Sequence, residues 1–224
     1  MRLLDVLRAE RRASVDTLRL VGPKAPTLCD GWQAKDIATH LYIQDRGAGL
    51  PMVLTAPIGM PLLRLGVRAP SWFAARFEAQ QQKVIEAGWD GVLVKLAAGP
   101  PPLAAIPFLG PVRLHENWIH HEDVRRVTDS TPRPTTDAVD DALWAALRWY
   151  GPYQRKLLKG VAVLLKRDNG DEQRIGDKNG ERVTVSGPAG EIALVVAGRH
   201  AVSKAGIAGP DKAVAMLHAP HLSL

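Results

Sequence analysis

The chain has 224 residues, 46% hydrophobic, 23% charged and 5% aromatic, with a formal net charge of +6. This supplies a sizeable core for one large or two small domains, while the charged opening MRLLDVLRAERR, with no uninterrupted apolar stretch after it, leads us to expect no signal peptide, and the run MVLTAPIGMPLLRLGV, interrupted by Pro57, Pro61 and Arg64, is too short to span a bilayer. The lone Cys29 excludes an internal disulfide or thiolate cage and suits a reducing cytoplasm, and lysines and arginines scattered among aliphatics rather than aromatics point away from nucleic acid.

In chain order, residues 3–20 space Leu4, Leu7, Val15 and Leu18 near the helical period, which predicts an amphipathic helix ended by GPKAP. A second helix is expected from Trp32 to about Gln44, with Asp30 and Gly31 as start signals and His40 on neighbouring turns with Ile37 and Leu41. A proline-punctuated connection runs through Ala69. SWFAARFEAQQQKVIEAG reads as a third helix with Phe73, Phe77 and Val84 in register, and GPPPLAAIPFLGP as a stiff loop. Pro111 suits the first position of a fourth helix, VRLHENWIHHEDVRRVTD. DAVDDALWAALRWY is a further helix expected to stop at Gly151 and Pro152, with Trp118, Trp144 and Trp149 as core. Thereafter VAVLLKR, DNGDEQRIGDKNG and ERVTVSG read as short strands joined by Asn-Gly turns. EIALVVAG is apolar without a period and fits strand or helix equally, and PDKAVAMLHA looks helical. The pattern is α+β, with a helical bundle over residues 1–154 and a small α+β domain over 155–224.

The segment with chemistry is HENWIHHEDVRR, residues 115–126. Only residues three or four apart share a helix face. Glu116 with His120 has the i, i+4 spacing and His120 with Asp123 the i, i+3 spacing, whereas His115 and His121 have no such partner. His120 is therefore the hub of a metal site, with Glu116 or Asp123 as companion. A third ligand must come from a facing helix, as in bundle-core sites. His40 is the candidate, with Asp36 as a further ligand or as the acceptor that orients the imidazole. Two imidazoles and a carboxylate leave positions open, as at a catalytic zinc, and the same set serves iron or nickel. The competing reading is structural: His40 as a hydrogen-bonded core histidine, and HENWIHHEDVRR as a solvated face with Glu122 paired to Arg125 or Arg126. Cys29, just before the second helix, is a conceivable nucleophile, though an isolated cysteine more often packs as a small hydrophobe.

TLCDGWQAKDIATHL resembles the second-helix signature of the DinB-like metal-binding superfamily that includes mycothiol-dependent maleylpyruvate isomerase, with Trp32 two turns before the metal histidine, His40. LHENWIHHEDVRR resembles its second signature, in which a glutamate and a histidine one turn later complete the ligand triad, here Glu116 and His120. The HHEDVRR ending is similar to that of uncharacterised metal-binding proteins of the superfamily. The resemblance implies an up-down four-helix bundle with a small α+β domain behind it, where GEIALVVAGRH is similar to the family's ending and makes Arg199 a catalytic candidate that binds a carboxylate beside the metal. Gln33 departs from the capping Thr or Ser usual in the family.

Two functions follow as expectations. In the first, the resemblance implies a mycothiol-dependent transferase or isomerase: a divalent metal, zinc by preference, activates the low-molecular-weight thiol for attack on a small electrophile. The second is a non-catalytic metal-binding module, a sensor, store or partner-docking bundle. Either would act in the cytoplasm as a monomer or homodimer, bound to neither nucleic acid nor membrane.

Overall fold

The computed structural model describes residues 2–46, 71–105, 109–154, 158 and 160–217. The expected connection through Ala69 lies outside the described residues, as do the side chains of Phe73, Phe77 and Trp149. The chain contains both helices and one small sheet, the α+β composition expected, and its contacts divide it into Arg2–Gly110 and Pro111–Leu224. The expected domain boundary at 154/155 falls within the second of these.

In the first unit, α1 (Leu3–Val21) buries Val6, Leu7, Val15 and Leu18 on one stripe and ends where Gly22, at φ 79, donates its N–H to the carbonyl of Leu18 at 3.0 Å. That left-handed conformation suits glycine. The same stripe buries Arg11, whose Nη2 lies 2.9 Å from Oδ1 of Asp45. Asp45 belongs to α2 (Ala34–Arg46), which buries Ile37, Ala38 and Leu41. Gln33, ahead of α2, donates its backbone N–H to Asp36 Oδ2 at 2.8 Å, the acidic half of a capping box. This cap supplies the start signal, rather than Asp30, which is exposed. α1 and α2 both pack against α3 (Ser71–Ala97). The helix expected to end at Gly88 does break there, at φ 62 and ψ −177, but the chain re-enters helix and buries Val92, Leu93 and Leu96. A short 3-10 turn, Pro102–Ala105, follows.

α4 (Leu109–Arg125) starts two residues ahead of Pro111, which is tolerated because a first-turn N–H has no helical partner to lose. α5 (Asp137–Gln154) runs through Gly151 and Pro152, where a stop was expected. The proline gives up one bond to a preceding carbonyl within the final turn, and the helix ends two residues later. Trp118 on α4 and Trp144 on α5 are buried, as expected of core.

The sheet has the order β2-β1-β3-β4, formed by Val161–Arg167, Glu172–Gly176, Glu181–Gly187 and Gly206–Ala208. Asn169-Gly170 turns β1 into its antiparallel partner β2. The second Asn-Gly pair does something else: β3 lies on the far side of β1 and parallel to it, so the connection passes under the start of β1. Asp177 and Glu181 donate backbone N–H groups to Val161 and Gly160 there. A Cβ on Gly180 would lie 2.3 Å from the carbonyl carbon of Gly160, so the passage admits only glycine. The ambiguous EIALVVAG segment is helix, α6 (Ala189–Val196), with every residue buried. Complete burial is why it shows no polar face from which a period could be read. α7 (Asp211–Leu217) matches the helix expected near the end, whereas the three-residue β4 was not anticipated.

Two contacts fix these elements. A Cβ on Gly190 of α6 would stand 2.6 Å from Cζ2 of Trp118, so α6 lies directly on that indole, and the Arg133 guanidinium covers the ring 3.8 Å from its centroid. Arg167 of β1 reaches Asp141 (2.6 Å), Asp140 (3.2 Å) and Asp171, while Asp140 also accepts the Ala189 N–H at 2.9 Å. One arginine and one aspartate thus join α5, the β1–β2 turn and the start of α6.

Candidate metal centre

On α4, His120 and Asp123 meet as the i, i+3 spacing predicts: Nδ1 lies 3.0 Å from Asp123 Oδ2. Asp123 is fully buried and Arg199 grips it with both arms, Nε to Oδ1 and Nη2 to Oδ2, each at 2.9 Å. Arg199 Nη1 donates to the Ala197 carbonyl at 2.6 Å, which anchors the guanidinium behind the carboxylate. Burial alone would raise the Asp123 pKa, but the His120 hydrogen bond and Arg199 bring it down to about 2. An ionised acceptor at Nδ1 assigns the imidazole proton to that nitrogen, which makes Nε2 the lone-pair nitrogen.

Glu116 Oε2 lies 3.9 Å from that Nε2. The separation is too long for a hydrogen bond, and it is within the ~4.2 Å spanned by two ligand bonds of about 2.1 Å meeting at one zinc ion. A nitrogen and a carboxylate oxygen on one helix face, the histidine fixed from behind by a carboxylate, form a donor set that fits a divalent cation.

His115 is enclosed and does not join this pair. Burial foremost, helped by Arg199 and His120 and opposed by Glu116, lowers its pKa to about 4, so it is neutral at neutral pH. Glu122 does pair with Arg125 and Arg126, as the structural reading of the sequence has it, but in a buried setting rather than a solvated one. It accepts from Arg125 at 2.8 Å, from Arg126, and from Arg133 at 2.6 Å. Burial would raise its pKa, and the three arginines lower it to about 2. Arg126 also binds Glu191 of α6 at 2.5 Å and the Val202 carbonyl at 2.7 Å. The partnership of Asp123 with Arg199 and that of Arg126 with Glu191 were not readable in the sequence, because the partners are 76 and 65 residues apart.

His40, in the first unit, is half-buried on α2, and its ring centroid is 5.5 Å from that of Trp32, the residue two turns before it. Asp36 is taken up in the helix cap. Cys29 is half-buried in a turn where Thr27 Oγ1 accepts its N–H at 3.1 Å.

Comparison with solved structures places this fold beside that of a mycothiol-dependent maleylpyruvate isomerase. The crystal structure of that enzyme superposes with a TM-score of 0.54 at 15% identity, over 92% of this chain and 91% of the other. A histidine-to-alanine variant of a mycothiol-dependent maleylpyruvate isomerase aligns over the same fractions at 16% identity and a TM-score of 0.48. No protein-family model matches the sequence, and a search of curated proteins gives no match. Among the described residues no helix is long and apolar enough to cross a membrane.

Proposed function

We propose that the chain is a DinB-like protein that binds one divalent metal ion through His40, Glu116 and His120. In this reading its helices form an up-down four-helix bundle over residues 1–154, ahead of the α+β domain of 155–224. The observation that carries the reading is His120 itself: Nδ1 is committed to a buried, arginine-held carboxylate, and Nε2 stands 3.9 Å from a second donor on the same helix. His40 supplies the third donor, a reading supported by the Trp32–His40 spacing and by the fold likeness to the isomerase.

The activity we assign is transfer or isomerisation of an electrophilic small molecule with a low-molecular-weight thiol, mycothiol by the same likeness, in a reducing cytoplasm. The ion, zinc by preference, supplies the positive charge that keeps the thiol ionised. The protein side is concrete. Asp123 fixes the His120 ring and stays ionised because Arg199 holds it. Arg199 is in turn the cation that receives an anionic substrate, shared with Asp123. The commitment of Arg199 to Asp123 is also what a non-catalytic metal-binding module would show, so that reading stands second.

Elemental analysis of purified wild type and of His120→Ala tests the site: about one equivalent of metal is expected in the first and a small fraction in the second, and unchanged content in the variant refutes it. Loss of maleylpyruvate in the presence of mycothiol, or consumption of mycothiol with a bimane, separates the two readings. Turnover by the metal-loaded protein alone marks the enzyme, and equal rates with and without metal reject it.

A further inference from the structure

The open face of the sheet carries a second candidate site. Along β1, buried Val161, Val163 and Leu165 alternate with half-exposed Ala162 and Leu164. The register sets Arg174 of β2 opposite Leu164 and Arg182 of β3 opposite Ala162. Directly paired residues share a sheet face, so both arginines flank the small aliphatic floor made by Ala162 and Leu164. A concavity of about 690 Å³ opens over that floor, and Lys178 of the β2–β3 connection and Arg148 of α5 complete its basic lining.

These charges are not used internally. Arg125, Arg126, Arg133, Arg167 and Arg199 all meet carboxylates. Among the described residues Arg174, Lys178 and Arg182 make no ion pair or side-chain hydrogen bond. Arg148 lies within the field that acts on exposed Asp171. Glu172, the one acid among the described lining residues, pairs with Lys166 at 3.6 Å. Unpaired cations converging on one hollow repel one another until an anion enters.

The shape narrows the ligand. The volume suits a small molecule. β2 and β3 flank β1 at about 4.8 Å each and the two arginines are offset by two residues along it, so they are rooted roughly 12 Å apart and their long side chains can close on a ligand from both sides. Among the described residues the lining is mostly basic and aliphatic, with Ala162, Val163, Leu164 and Ile175 beside the cations.

We propose that this concavity binds a small aliphatic dianion, a phosphate ester or a dicarboxylate, held between Arg174 and Arg182 at a site separate from the Glu116–His120 donor pair. Calorimetric titration of the full chain with inorganic pyrophosphate and, separately, with succinate tests it. At least one probe should bind, and binding should weaken about tenfold with each of Arg174→Gln and Arg182→Gln. The probe that binds tells phosphate from carboxylate as the source. Both side chains are exposed, so the variants should keep the wild-type melting temperature and metal content, which separates this site from the metal centre. Failure of both probes to bind overturns the proposal, as does binding that the double variant retains. Binding of single-stranded DNA with neither probe bound overturns it equally.

Discussion

Replacing Glu122 by Gln tests whether the buried charges of α4 stabilise the second unit. The carboxylate has no exposed side-chain surface and accepts hydrogen bonds from three arginines. The fall of its pKa from 4.5 to about 2 is the net preference of the folded protein for its charge. At ~1.4 kcal/mol per pH unit this is worth roughly 3 kcal/mol, the lower end of what breaking a buried pair costs. Glutamine keeps the shape and offers one carbonyl to three cations. Arg126, wholly buried, would keep only Glu191 and the Val202 carbonyl. For a chain of this size roughly 3 kcal/mol lowers the melting temperature by about 6–12 °C. Urea denaturation should show the loss as a lower midpoint at constant slope. The control is Arg125→Gln, which removes a cation whose side chain is 17% exposed and already shared with Asp129. It should cost about 1 kcal/mol or less. If Glu122→Gln costs no more than that control, the cluster contributes no net stability and the reasoning is wrong.

Gly190→Ala should destabilise by about 1–3 kcal/mol despite the better helix propensity of alanine, because the new Cβ meets Trp118 at 2.6 Å; a raised melting temperature would show that α6 has room to shift. Asp123→Asn should lower metal affinity about 10–100-fold while Glu116 and His120 remain; competition against a chromogenic chelator measures it, and an unchanged constant would disconnect Asp123 from the metal. Stability should fall steadily on acidification: His115, at about 4 folded against 6.5 unfolded, takes its proton first in the unfolded chain as pH drops below 6.5, and Glu122 and Asp123 do the same from about 4.5 and 3.8 down to about 2. A melting temperature flat from pH 6.5 down to 4 would contradict the burial of neutral His115.

The amphipathic helices were legible because each shows water one face. Leu7, Val15 and Leu18 of α1 and Ile37 and Leu41 of α2 are buried as their spacing predicts. α6 was not legible, since Ile192, Leu194, Val195 and Val196 are buried all round and no polar side marks a period. The parallel pairing of β1 with β3 was hidden for another reason: Asn179-Gly180 reads locally as a hairpin, and only the crowding of Gly180 against Gly160 reveals a crossing. Within the site, the i, i+3 meeting of His120 with Asp123 follows from helical geometry alone. The arginine that holds Asp123 does not, because a partner 76 residues away leaves no spacing to read.

That distance also sets an order of events in biosynthesis. When residue 125 leaves the ribosome, α4 can already coil, with Glu116, His120 and Asp123 on one face. Arg199 is still unmade at that point, so the imidazole lacks the fixed carboxylate that sets which nitrogen is open. Until Arg199 is made, the donors of α4 are held only loosely, and the set tightens when the guanidinium reaches Asp123. On the proposed metal reading, a chain stalled before residue 199 should bind the ion more weakly than the longer chain, because Asp123 then lacks the arginine that fixes it.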